Sequence, residues 1–150
     1  MIYDVYTALP TTSVKEVLGT FEKNKIGGVP VVDGKGILVG MVTDGDIVRF
    51  LSLQEKVYFT FSMAYVGETE PIEKVLKQRM NTPISEIMVK KNLKTLSTDD
   101  TMESALSLLS KHHFKKLPVV NGVGRVVGII SRGDVINRLA KMTSDSLTIS

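Results

Sequence analysis

The sequence predicts an α+β domain made of two copies of one β-α-β-β-α unit. Three observations point there. GMVTDGDIVRFL at 40–51 returns as GIISRGDVINRL at 128–139. The same offset of 88 positions aligns Pro30 with Pro118 and holds without a gap from about 7/95 to 51/139, and a duplication on this scale is the first feature a fold must explain. Within each copy the apolar spacing changes from helical to extended and back to helical, with Asp-Gly or Asn-Gly between the two extended runs.

Each copy opens on a helix. Ser13-Val14-Lys15-Glu16 reads as a capping box, and Val14, Val17, Leu18 and Phe21 fall on one face behind it. In the second copy Asp99-Asp100-Thr101 precede Met102, Ala105, Leu106 and Leu109 at the same spacing. The apolar runs VPVV at 29–32 and LPVV at 117–120 end in Asp33-Gly34 and Asn121-Gly122. Both pairs accommodate the positive φ of a tight hairpin, so the chain should double back into Ile37-Leu38-Val39 and Arg125-Val126-Val127. A second helix follows each hairpin, with Ile47, Val48 and Leu51, or Val135, Ile136 and Leu139, expected to turn inward. Repeat one then spans 1–51, an insert 52–82, repeat two 83–142 and a C-terminal tail 143–150. The insert has an aromatic stretch, VYFTFSMAY at 57–65, expected to serve as core or as a subunit contact. A helix over 71–80 follows it, through Ile72, Val75, Leu76 and Met80.

Composition removes several classes of function. The 150 residues are 43% hydrophobic, enough for one compact domain or two very small ones sharing a core, without staples. With no cysteine, disulfides, thiolate catalysis and thiolate metal sites are excluded, and the chain suits the reducing cytoplasm. No apolar run approaches the roughly 18 residues of a membrane helix, and the first ten residues lack a secretory profile. Net charge is +3 and the pI about 9.1, with both signs interspersed. That balance fits a small anionic ligand better than nucleic acid. His112 and His113 are adjacent, so on a helix they point about 100° apart and cannot clasp one metal. No nucleophile elbow, zinc motif, phosphate loop or calcium loop occurs, which argues for a binding module and against an enzyme. The glycines at 34, 36 and 40, and again at 122, 124 and 128, have the wrong spacing and setting for a dinucleotide fingerprint and read as turn glycines.

The chemistry rests on Thr43/Asp46 and Ser131/Asp134. A hydroxyl at the N-cap with a carboxylate three positions on caps a helix unaided. The same geometry also offers free N–H groups to an anion and a carboxylate to a ribose diol. Lys115 and Lys116 stand at a strand entrance where the first copy has Gly27 and Gly28, and Arg132 stands where it has Asp44. Counting within copies, the cleft around Ser131, Arg132 and Asp134 is expected to hold phosphate more tightly than the one around Thr43 and Asp46.

With GGVPVVDGKGILVGMVTDGDI, KKLPVVNGVGRVVGIISRGDV and the lead-in Ile84-Ser85-Glu86-Ile87-Met88, the chain resembles a tandem pair of CBS (cystathionine β-synthase) domains, a Bateman module. That lead-in has no counterpart ahead of Met1. The resemblance implies two repeats packed by pseudo-twofold symmetry, with two clefts for adenosine-containing ligands: AMP, ADP, ATP or S-adenosylmethionine, with or without Mg²⁺. Carried over by position, Asp46 and Asp134 would hold ribose hydroxyls, and Thr43 and Ser131 the ribose or phosphate. Met41 and Ile129 would line the adenine pocket. Ile26 and Gly27 would enclose the base held by Asp134, and Phe114 and Lys115 the base held by Asp46. Lys115 and Lys116 would be the phosphate contacts of copy two. The implied function is a regulatory energy or metabolite sensor that signals through a homodimer and has no cofactor of its own. The alternative is a ligand-free dimerisation or interaction scaffold.

Overall fold

The computed structural model describes residues 5–52, 57–59, 64–66, 71–111 and 116–149. Ser13 opens the first helix by accepting the Glu16 N–H at 3.1 Å. Helix α1 (Val14–Asn24) buries Val14, Val17 and Phe21, the expected face, and stops at Lys25 in the left-handed region with φ 53°. Strand β1 (Gly28–Val32), buried along its whole length, pairs antiparallel with β2 (Leu38–Thr43). Helix α2 (Asp44–Leu51) follows directly from β2.

After the insert, the second repeat reproduces this plan. Strand β5 (Leu96–Ser97) leads to α4 (Met102–Ser110), then β6 (Lys116–Val120), β7 (Val126–Ser131) and α5 (Arg132–Ile149). Between the repeats stand β3 (Val57–Phe59), β4 (Ala64–Val66) and α3 (Ile72–Arg79). β5 lies parallel to β6, whereas in the first repeat the leading strand is a single parallel bridge, Ala8 to Val31. Both hairpins carry an irregularity at the same place, between Val31 and Val32 and between Val119 and Val120.

The hairpin turns differ from expectation. Positive φ falls on Gly36 (81°) and Gly124 (85°), not on Gly34 and Gly122. Asp33 Oδ1 accepts the N–H groups of Lys35 and Ile37 at 2.8 and 3.0 Å, and Asn121 Oδ1 does the same for Val123 and Arg125. The aspartate and asparagine thus fold the loop through their side chains, which pushes the left-handed position two residues on, where glycine carries it without strain.

The two turns meet each other. Leu38 N–H donates to Gly124 O at 3.2 Å and Val126 N–H donates to Gly36 O at 3.1 Å, two bonds exchanged by the repeat offset, as a pseudo-twofold axis requires. Arg125 Nε–H adds a bond to Lys35 O at 2.8 Å.

Each repeat has its own core. One gathers Val14, Val17, Phe21, Val29, Val31, Val42 and Ile47, and the other Leu96, Ala105, Leu109, Leu117, Val119, Ile130 and Val135. Ile84, which leads into the second copy in sequence, is fully buried in the first core. Its 3₁₀ turn (Ile84–Glu86) is tied to that repeat by Ile84 N–H to Thr12 O at 2.7 Å.

The second helices correct one expectation. Ile47 and Val135 are buried, and Leu51 and Leu139 pack against their cores, but Val48 and Ile136 point outward at 67% and 63% exposure. Successive helical positions turn by about 100°, so the core holds positions 47 and 51 and leaves 48 outside. The expected tail 143–150 is, through Ile149, the continuation of α5.

In the insert, β3 (Val57–Phe59) and β4 (Ala64–Val66) form an antiparallel hairpin with Tyr58 opposite Tyr65. Helix α3 (Ile72–Arg79) buries Val75 and is fastened to α2 by Arg79, whose Nη1 donates to Phe50 O at 2.6 Å while its guanidinium lies 5.6 Å from the Phe50 ring centre. Among the described residues no helix is long and apolar enough to cross a membrane. His112 and His113 lie outside them.

Candidate functional site

Where β2 runs into α2, the chain makes a complete capping box. Thr43 Oγ1 accepts the Asp46 N–H at 3.4 Å, and Asp46 Oδ2 accepts the Thr43 N–H at 2.9 Å and the Thr43 hydroxyl at 3.0 Å. The other carboxylate oxygen, Oδ1, accepts Arg49 Nη2 at 2.7 Å. The second repeat repeats the cap: Ser131 N–H donates to Asp134 Oδ2 at 2.8 Å, and Asp134 N–H to Ser131 Oγ at 3.2 Å. Capping is therefore in place at both helices, and any ligand role is added to it.

Thr43 and Asp46 stand in a cavity of about 410 Å³. Its walls come from three places. Met41, Thr43, Asp44, Gly45, Asp46 and Arg49 belong to β2 and α2, and Gly27 to the entrance of β1. Lys116 and Pro118 reach in from β6 of the other repeat. Val89, Asn92, Leu93 and Lys94 come from the connector between repeats. That connector is held against the sheet by a two-way backbone pair, Met41 N–H to Val89 O at 3.0 Å and Val89 N–H to Met41 O at 2.9 Å. Asn92 then turns the chain with φ 56°. Three cations, Arg49, Lys94 and Lys116, thus share one cavity with two carboxylates, Asp44 and Asp46. The first N–H groups of α2 are already taken, Asp44 by Gly27 O, Gly45 by Asp44 Oδ1 and Asp46 by Thr43 Oγ1, so the helix adds the positive end of its dipole while the cations supply the anion contacts beside the diol acceptor.

Of the residues expected from sequence, Met41, Thr43, Asp46, Gly27 and Lys116 come together here. Two residues expected at the other cleft line this cavity. Lys116, grouped with Arg132 and Asp134 by counting within copies, lines the Thr43–Asp46 cavity. The reason is the pseudo-twofold packing, which sets the start of β6 across from the start of β1. Lys116 Cδ lies 3.3 Å from where a Cβ on Gly28 would stand. The Thr43–Asp46 cavity accordingly has a cation from the other repeat beside its own Arg49. Gly27, expected beside the base of Asp134, lines this cavity too, and Asp44 N–H donates to Gly27 O at 2.9 Å. Ile26 packs against the first core and is absent from the cavity lining. Ile129 lies in β7 opposite Pro118, and Arg132 is the exposed first residue of α5. Phe114 and Lys115 lie outside the described residues.

Sequence reasoning missed Arg49, Val89, Asn92, Leu93 and Lys94. Arg49 carried a signal, since a cation three positions after Asp46 on a helix faces it. The connector carried only its cations, Lys90, Lys91 and Lys94, and nothing local predicts the bridge that brings it to Met41.

Known proteins share this architecture. The CBS domain family matches residues 1–53 and 84–141. Protein MJ1426 of Methanocaldococcus jannaschii is 30% identical over 134 residues, covering 83% of this chain and 79% of that protein. Inosine-5'-monophosphate dehydrogenase of Aquifex aeolicus is 32% identical over 138 residues, covering 92% of this chain but only 23% of the enzyme. Among solved structures, CBSX2 in complex with AMP superposes with a TM-score of 0.71 at 25% identity, over 93% of this chain and 90% of that one. The CBS domain pair of MJ0100, solved with 5-methylthioadenosine and S-adenosyl-L-methionine, superposes with a TM-score of 0.66 at 26% identity, over 93% and 90%. With both repeats matched and the paired architecture shared, the chain belongs to the CBS domain family as a tandem CBS pair.

Proposed function

We propose that this CBS pair is a regulatory module that binds an adenine nucleotide in the Thr43–Asp46 cavity and signals occupancy through a homodimer. The observation that carries the reading is the meeting of Asp46, a helix N-terminus and the cations Arg49, Lys94 and Lys116 in one cavity of about 410 Å³. That volume is within the roughly 300–1,000 Å³ usual for small-molecule sites. A ribose diol suits the carboxylate and a phosphate suits the cations. The adenosine ligands of CBSX2 and MJ0100 support the same chemistry for this chain. Ser131 and Asp134 would serve a second, related cleft with Ile129 and Arg132. The module acts by occupancy, without turnover, and the cytoplasm suits its lack of cysteine.

The dimer is proposed on the outward residues of the second helices. Val48 and Ile136 occupy the same repeat position and are both largely exposed, and Met142 on α5 is 48% exposed. An apolar position duplicated by a pseudo-twofold suits an isologous contact between two copies.

Calorimetric titration with AMP, ADP, ATP and S-adenosylmethionine, with and without Mg²⁺, tests the ligand class. Saturable binding of at least one supports the module. No heat from any of the four favours the alternative, an interaction scaffold whose Thr43/Asp46 and Ser131/Asp134 pairs only cap helices.

A further inference from the structure

We propose that Arg49 is a latch on this cavity: it closes the Asp46 carboxylate and hands itself to the ligand's phosphate on binding, so that the site selects phosphorylated nucleosides over nucleosides. The inference rests on the adenine-nucleotide reading above.

A carboxylate has about four acceptor positions, two on each oxygen. On Asp46, Oδ2 already takes the Thr43 N–H at 2.9 Å and the Thr43 hydroxyl at 3.0 Å. Both bonds belong to the cap that starts α2, so that oxygen is committed to the fold. The remaining two positions lie on Oδ1, and Arg49 Nη2 takes one of them at 2.7 Å. A ribose diol has two hydroxyls to donate and finds one open position, so placing both on this carboxylate requires the guanidinium to leave.

The two partners differ in freedom. The Asp46 side chain is 11% exposed and held by the cap, whereas that of Arg49 is 72% exposed. The arginine is the partner that moves. Its guanidinium rests against α2 beside Gly45, where a Cβ would stand 3.2 Å from Nη1. Leaving Oδ1 breaks no bond of the cap, and the side chain still lines a cavity that also holds Lys94 and Lys116. For a nucleoside the ion pair is simply lost. For a nucleotide the freed guanidinium gains a phosphate, for which its fork geometry is well matched. In the second repeat Asn137 occupies the position of Arg49, and an amide cannot act in this way.

The test is calorimetry of the full chain and its Arg49→Met variant with adenosine and with AMP. Methionine keeps the aliphatic stem and removes the donors. Because an exposed pair of this kind is weak, adenosine should bind the variant only about two- to fivefold more tightly. AMP should bind it about fivefold more weakly, having lost a charge-assisted contact. The preference for AMP over adenosine should fall by about tenfold or more. Asn137→Met should leave that preference unchanged. Adenosine affinity that is unaltered or reduced in Arg49→Met overturns the latch, while AMP binding by the unmodified protein would keep the nucleotide reading intact. If the unmodified protein binds neither compound, both fall.

Discussion

Gly40→Ala should loosen the connector that walls the cavity, and Gly19→Ala should not. A Cβ on Gly40 would stand 2.5 Å from Met88 Sδ, 3.0 Å from Met88 Cγ and 3.2 Å from Val89 O. Met88 is a flexible side chain that can swing aside. Val89 O cannot, because it is backbone and is the acceptor of Met41 N–H at 3.0 Å. The added methyl therefore shifts the strand-like contact that brings Val89, Asn92, Leu93 and Lys94 to the site. Overpacking of this size costs about 1–3 kcal/mol. In a chain of 150 residues, at about 2–4 °C per kcal/mol, the melting midpoint should drop by about 2–12 °C. Gly19 lies exposed in α1 with nothing within 4 Å of its Cβ position, so alanine there should stabilise by about 0.5–1 kcal/mol. Scanning calorimetry of the two variants, followed by AMP titration, gives both numbers. A Gly40→Ala protein as stable as the parent and with the same AMP affinity would refute the account of the connector.

The remaining predictions concern the ligand and the dimer. Asp46→Ala should weaken AMP by about tenfold or more, since a hydrogen bond to a charged group is worth about 1.5–3 kcal/mol. It should also cost about 1–2 kcal/mol of stability from the lost helix-terminus charge and the orphaned Thr43 N–H, and calorimetry that finds the AMP affinity unchanged removes Asp46 from the site. Lys116→Ala should weaken AMP by about fivefold and adenosine little, with the difference shrinking as salt rises. Equal effects on both compounds, or no salt dependence, would detach Lys116 from the phosphate. Val48→Glu combined with Ile136→Glu should convert a dimer into a particle of the 16.5 kDa chain mass by light scattering, and a parent protein already at that mass contradicts the proposed interface.

Much of this architecture was legible because it is written twice. Pairings such as Pro30 with Pro118 and Thr43-x-x-Asp46 with Ser131-x-x-Asp134 located both hairpins and both caps without any tertiary information. What local pattern could not give was which side chains cross between repeats. Lys116 aligns with Gly28 within its copy, and only the exchange of Leu38–Gly124 and Val126–Gly36 bonds at the twofold shows that it faces the other repeat's site. The connector was opaque for the same reason, since Ile84 is buried by the first core although it introduces the second copy. Val48 and Ile136 were misread because apolar character alone does not fix a face, and each adjoins a residue that the core takes first.

A crystal structure of the protein with AMP would show directly whether the nucleotide sits against Asp46. The nucleotide should lie in the cavity between Thr43, Asp46 and Lys116, with a ribose hydroxyl about 2.5–3.0 Å from an Asp46 carboxylate oxygen and the phosphate toward the cations. AMP bound away from Asp46, or absent from crystals grown at saturating concentration, would contradict it.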